Sequence, residues 1–151
     1  MDVRIPELEL DNQLCFALYD ASRAVVRAYA PILGELGLTY PQYVTMLVLW
    51  EADGPMTVGD LGARLHLDSG TLTPLLKRLD HLGFVERQRD LADQRRVLIT
   101  LSDRGAALRD DAAEVPARIF DRFGMDLGAA RELLGNLTRL VENLEAPSPP
   151  D

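Results

Sequence analysis

The chain has 151 residues, 47% of them apolar, and a formal charge of −8, which is one domain's length with ample apolar content for a core. No run approaches the roughly 18 apolar residues of a membrane span, and Met1-Asp2-Val3-Arg4-Ile5-Pro6 lacks the basic-then-apolar order of a signal peptide, so the chain reads as soluble, cytoplasmic and without a membrane partner. A single cysteine, Cys15, excludes an intramolecular disulfide and fits a reducing compartment.

Taken in order, residues 1–9 contain Pro6 and three acids and are expected to form an extended arm. A helix is predicted from Leu10 to about Ala30, because Leu10, Leu14, Leu18, Ala21 and Val25 recur at helical spacing and Pro31 follows. Cys15, Tyr19, Ser22, Val26 and Tyr29 form a second stripe on that helix, so it expects two packing partners. Thr39-Tyr40-Pro41-Gln42 starts the next helix with Thr39 as N-cap and Gln42 at the capping-box position, and Asp53-Gly54-Pro55 ends it. Thr57-Val58-Gly59-Asp60 is another capping box, opening a short helix with Leu61 and Leu65 on its apolar side.

The following helix is the centre of the reading. Leu72, Leu75, Leu76, Leu79 and Leu82 fall within an arc of about 120° and face a core. The opposite face carries Gly70, Thr73, Pro74, Lys77 and His81, flanked by Ser69, Thr71 and Arg78. Small hydroxyl residues and glycine at a helix start let donors approach an anion or a base edge, so this face is read as a DNA-recognition surface. Gly83 is a natural left-handed cap. Beyond it, residues 84–89 and 96–101 read as strands around the charged loop Asp90 to Arg95. Helix-turn-helix followed by a β-hairpin is a winged helix, although such pieces also occur in proteins that bind no DNA.

Ser102 caps a helix through Leu108, and Pro116 marks a kink or a break near Val115. Phe123-Gly124-Met125 reads as a turn. Leu127, Leu133, Leu134, Leu137, Leu140, Val141 and Leu144 then give the last helix one broad apolar stripe, and residues 146–151 are expected to be a disordered tail. The fold class is therefore α+β, mainly α. A single domain over 1–151 divides into a winged helix-turn-helix at 39–102 and terminal helices at 10–38 and 103–145. Those terminal helices have apolar surface left over for a second copy. A homodimer would present two recognition helices to a pseudo-palindromic double-stranded operator with half-sites roughly 10 bp apart; a monomeric bundle is the alternative.

A net charge of −8 opposes a nucleic-acid partner, but its distribution does not. Residues 64–96 hold seven Lys/Arg and five acids, a local +2 in an acidic chain, so positive charge gathers on the helix and wing while the body repels DNA from other faces.

Several motifs also resemble a family. Asp93-x-Arg95-x5-Leu101-Ser102-x-x-Gly105 resembles the wing signature of MarR-type repressors. Residues Leu67 to Arg78 resemble the recognition helix of the organic-hydroperoxide-sensing OhrR branch, in its one-cysteine form. Leu10 to Tyr19 and Thr39-Tyr40-Pro41-Gln42-Tyr43 extend the likeness, which covers roughly residues 8–120. The resemblance places Arg95 in the minor groove, with Asp93 orienting it or bracing the loop.

Cys15 divides the readings. A lone cysteine among Leu14, Phe16 and Leu18 is often only a small buried hydrophobe. A sensor needs the thiolate, of which only about 3% is present at pH 7 for an ordinary thiol. No cation lies one helical turn from Cys15, so the available donors are phenolic, namely Tyr19 and Tyr29 on its stripe and Tyr40 on the next helix. The resemblance implies that Cys15 is the peroxide-sensing cysteine and that Tyr29 and Tyr40 bond to it from a partner subunit. Organic hydroperoxide is then the inducer, Cys15 sulfenic acid the first product, and a small-molecule thiol or a backbone nitrogen its next partner unless it is overoxidised. Two other readings stand beside this one. One is a MarR-type repressor released by a small aromatic ligand with Cys15 inert. The other is a thiol peroxidase, disfavoured because turnover needs an exposed, resolvable thiol with a cationic partner. With two histidines at unsuitable spacing, neither a metal nor any cofactor is expected, and the chain is read as no enzyme.

Overall fold

The computed structural model describes residues 5–147 and divides into two compact units, one ending at Ile119 and the other beginning at Phe120. The first unit opens with two 3-10 turns, Pro6–Leu8 and Leu10–Asn12, where an extended arm and a helix start were expected. Gln13 is extended (φ −91°, ψ 102°) and separates these turns from helix α1, Leu14–Gly34. Residues 1–4 of the expected arm lie outside the described residues.

Pro31 does not end α1; it lies within the helix. It removes one hydrogen bond, to the carbonyl of Arg27. Continuing the helix keeps Ile32 and Leu33 in the core, where they are 6% and 0% exposed, and burying two such side chains outweighs one lost net hydrogen bond.

Helix α2, Tyr40–Glu51, begins at the expected capping box, with the Thr39 amide donating to Gln42 Oε1 at 2.9 Å. Strand β1, Met56–Thr57, is too short to show any alternation. Helix α3, Val58–Leu65, starts at the Thr57–Asp60 capping box and ends with His66 in the left-handed region at φ 53°. The turn to the next helix is tight: a Cβ on Gly62 would lie 2.6 Å from the Leu67 carbonyl oxygen, which is why a side chain there is excluded.

Helix α4, Ser69–His81, buries Leu72, Leu76 and Leu79. It closes at Gly83 (φ 77°), with the Phe84 amide donating to the Leu79 carbonyl and the Gly83 amide to that of Asp80, the paired bonds of a Schellman cap. Strands β2, Val85–Arg89, and β3, Val97–Leu101, form the hairpin within a residue of its expected limits. The sheet is antiparallel in the order β1-β3-β2, with Val85 opposite Leu101, Arg87 opposite Ile99 and Met56 opposite Ile99 from the other side.

Ser102 caps α5, Asp103–Ala112, and the expected break before Pro116 separates it from α6, Val115–Phe120. The core of this unit joins Leu33, Met46, Leu61, Leu72, Leu76, Leu79 and Ile99, all fully buried. Arg118 on α6 and Glu35 after α1 form a bidentate pair at 2.8 Å on both arms. The second unit is helix α7, Leu127–Glu145, capped by Asp126 and containing no buried residue. Most of the expected tail lies outside the described residues.

Candidate functional site

The N-terminus of α4 is built by Asp68, which no residue pattern had singled out. Its carboxylate accepts the Thr71 amide at 2.8 Å and the Thr71 hydroxyl at 3.3 Å. These bonds hold the Asp68 carboxyl below the usual carboxylate range. Thr71, expected at a base edge or a phosphate, therefore has its hydroxyl bonded to the cap. Ser69 and Gly70 remain exposed on the first turn and Thr73 is half-buried. Pro74 has no N–H, so the Gly70 carbonyl receives no helical bond from it. Lys77 and Arg78 are exposed further along.

The wing loop is held from within. Asp90 accepts the Ala92 amide at 2.9 Å and pairs with Arg96 at 3.8 Å, while Arg89 donates to the Gln94 carbonyl at 2.7 Å. At the tip, Asp93 takes both the Arg95 amide and its guanidinium. Folding brings the two distant motifs together, since Ser69 and Thr73 of α4 and Arg95 and Arg96 of the wing line one groove of about 440 Å³. Hydroxyls and cations around a groove of that shape suit a phosphodiester backbone.

The residues of the wing signature have structural work as well. Gly105 lies against Phe84, where a Cβ would stand 1.8 Å from the carbonyl oxygen. Ser102 Oγ donates to the Gly83 carbonyl at 2.6 Å, and Trp50 Nε1 donates to the Gly105 carbonyl at 2.8 Å. The signature thus ties α5 to the end of the recognition helix.

Cys15 is exposed in the single chain, not packed as a buried hydrophobe. Its neighbour one turn on, Tyr19, is 60% exposed. The Arg23 guanidinium lies 4.5 Å from the centre of the Tyr19 ring and pairs with Asp20 at 3.0 Å. Arg23 was missed because it is two turns from Cys15; the spacing 15, 19, 23 was the available signal.

Tyr29 cannot reach Cys15 within one chain. Fourteen residues separate them on α1, about 21 Å along the axis at 1.5 Å per residue. Tyr29 instead packs with Tyr40, ring centres 4.8 Å apart, and with Tyr43 at 5.8 Å. Burial, then Tyr40 and Tyr43, push its phenol up to about 12, so it stays protonated and able to donate at neutral pH. Tyr43, also raised by burial and by Tyr40, was not expected as a site residue. It stands between the tyrosine pair and a cleft of about 320 Å³ lined by Leu47, Trp50, Arg109 and Pro116 among others. No group of three His, Cys, Asp or Glu able to hold a metal ion occurs among the described residues, and no described helix is long and apolar enough to cross a membrane.

Comparison with known proteins gives one consistent outcome. The model of the SarA/Rot transcriptional regulators matches residues 27–112. The chain is 42% identical over 147 residues to the organic hydroperoxide resistance transcriptional regulator of Bacillus subtilis (strain 168), covering 95% of this chain and 97% of that protein. It is 49% identical over 137 residues to the HTH-type transcriptional regulator TtmR of Methylorubrum extorquens (strain PA1), covering 91% and 70%. Among solved structures, reduced AbfR bound to DNA superposes with a TM-score of 0.76 at 35% identity, covering 91% of this chain and 95% of that one.

Proposed function

The chain belongs to the SarA/Rot family of transcriptional regulators and has the MarR-type winged helix, and from that premise we propose that it is a homodimeric, DNA-binding repressor released by organic hydroperoxides through Cys15. The observation that carries the sensing part is the division of one site along one helix. Cys15 is exposed at the start of α1, and the protonated Tyr29–Tyr40 pair lies beyond its reach about 21 Å away. Two chains related by a two-fold axis bring each cysteine to the other's tyrosines. The apolar residues exposed on α1, among them Leu14, Phe16 and Val26, supply surface for that contact, and the Bacillus subtilis relative is named for hydroperoxide resistance.

In the dimer the tyrosine hydroxyls donate to the Cys15 thiolate and raise its share at neutral pH. The thiolate sulfur attacks the outer oxygen of the hydroperoxide. An S–O bond forms, the O–O bond breaks, and the alkoxide leaves and takes a proton to become the alcohol. Sulfur has lost two electrons and is a sulfenic acid. With no second cysteine in the chain, a small-molecule thiol condenses with it, giving a mixed disulfide and water. The added group separates the tyrosines from the sulfur and changes the spacing of the two recognition helices, so the operator is released. Ser69, Gly70 and Thr73 face bases or backbone, Lys77 and Arg78 face phosphates, and Arg95, steadied by Asp93, enters the minor groove.

A ligand-released repressor with inert Cys15 has one observation in its favour, the cleft beside Tyr43 and Trp50. A DNA-binding titration of reduced, peroxide-treated and Cys15→Ser protein separates the two. The proposal expects release only of the peroxide-treated wild type, without continuing peroxide consumption. Release of Cys15→Ser by peroxide overturns it.

A further inference from the structure

Resting on the DNA-binding reading, we infer that Arg87 is a third phosphate anchor, set on the wing strand behind the recognition helix. Along β2, Val85 is buried and faces the core, while Glu86 and Gln88 face water. Alternation therefore puts Arg87 on the side of Val85. Opposite it on β3 is Ile99, which is fully buried, and β2 packs against α4.

The Arg87 Nε atom is buried and has no hydrogen-bond partner. Its neighbours are differently placed. Arg89 donates to Gln94, Arg95 to Asp93 and Arg104 to Leu82, and Arg64 and Arg96 pair with Glu51 and Asp90. Among the described residues of the helix-turn-helix and wing, the cations without such a bond are Lys77, Arg78 and Arg87. The first two lie on α4 and the third on the strand packed against it.

A guanidinium partly withdrawn from water without a counter-charge destabilises the free protein. A DNA phosphate against the accessible part of this half-buried side chain supplies the missing counter-charge, and the terminal nitrogens of a planar guanidinium suit two phosphate oxygens. The free protein then carries a group whose partner arrives with the DNA, so removing the charge has opposite effects on stability and binding.

The test compares wild type with Arg87→Met, Arg87→Lys and Lys77→Gln. The readouts are thermal unfolding without DNA and fluorescence anisotropy with a pool of random-sequence duplexes of about 30 bp, at salt from about 50 to 200 mM. Arg87→Met keeps the apolar stem, so it is expected to melt at or above the wild-type temperature. Its affinity falls several-fold and its salt slope by about two per dimer, one phosphate per subunit. Arg87→Lys recovers most of the slope. A wild-type slope for Arg87→Met beside a reduced one for Lys77→Gln overturns the inference and leaves the DNA-binding reading intact. A lowered melting temperature for Arg87→Met overturns it too, because the free protein then depends on the charge. A wild type that binds no duplex at any salt overturns the DNA-binding reading itself.

Discussion

Asp93 holds Arg95 with both carboxylate oxygens, taking the backbone amide at 3.1 Å, Nε at 3.2 Å and a terminal nitrogen at 3.4 Å, yet leaves the arginine side chain 91% exposed. The guanidinium is aimed without being covered, which reduces the rotamer entropy lost when it binds. Arg95→Ala is expected to weaken binding to every operator sequence and to lower the salt slope. The Arg95 hydrogen bonds hold the Asp93 carboxyl low, so the clamp is complete above the ordinary carboxylate pKa of about 3.9 and is lost only as the pH falls below it. Wild-type affinity and salt slope for Arg95→Ala would reduce the wing to a structural hairpin.

On the recognition helix, the two kinds of contact should separate by measurement. Lys77→Gln is expected to lower the salt slope by about one per half-site with base preference unchanged. Thr73→Ala is expected to relax base preference with the slope unchanged. Thr71→Ala should instead act mainly on the stability of the first turn, because its hydroxyl is bonded to Asp68. Competition titrations against operator variants, run at several salt concentrations, read all three.

Gly105→Ala tests the junction of wing and α5. The new methyl would meet the Phe84 carbonyl oxygen at 1.8 Å, and the backbone on both sides is tied by the Ser102 and Trp50 bonds. A loss of roughly 3 kcal/mol or more is expected in urea unfolding. The chain's one tryptophan reports the change by fluorescence. A near-neutral result would mean that α5 moves away easily.

Tyr29 gives the protein an alkaline limit. Its phenol is raised to about 12, whereas an unfolded tyrosine ionises near 10. The stability it contributes is fully present below about pH 10 and falls as the pH rises toward 12, since the unfolded chain releases its proton first. Tyr29→Phe is expected to flatten that decline without removing it, because Tyr43 is also raised. Urea unfolding of both proteins between about pH 9 and 11 checks the slope.

The same phenols should govern reactivity. Hydrogen bonds from these phenols to the sulfur favour the thiolate over the thiol. Tyr29→Phe and Tyr40→Phe are expected to bind DNA when reduced, but to show a higher thiol pKa and slower peroxide release. Thiolate absorbance against pH, beside release kinetics, gives both quantities. Rates equal to wild type in both variants would leave the tyrosines as packing alone.

Most helix starts were legible in the chain, because a cap is written within four residues. Thr39 with Gln42, Thr57 with Asp60, and Ser102 each begin a helix where expected, and the leucine period of α4 shows which of its faces is buried. The hairpin was legible for the same local reason, as two apolar runs around a charged loop. What the tertiary structure decided involves residues far apart in sequence or competition between terms. Pro31 lies inside α1 because Ile32 and Leu33 have a core to fill. Strand β1 exists only through β3, since two residues have no period of their own. Tyr43 joins the tyrosine pair, Arg23 covers Tyr19 and Arg87 is left without a partner. The first two follow from side chains meeting across or along helices, and the last from a strand face turned inward. Periodicity shows which face of an element is apolar; only packing determines what that face meets, because burial and hydrogen bonding are satisfied by neighbours in space.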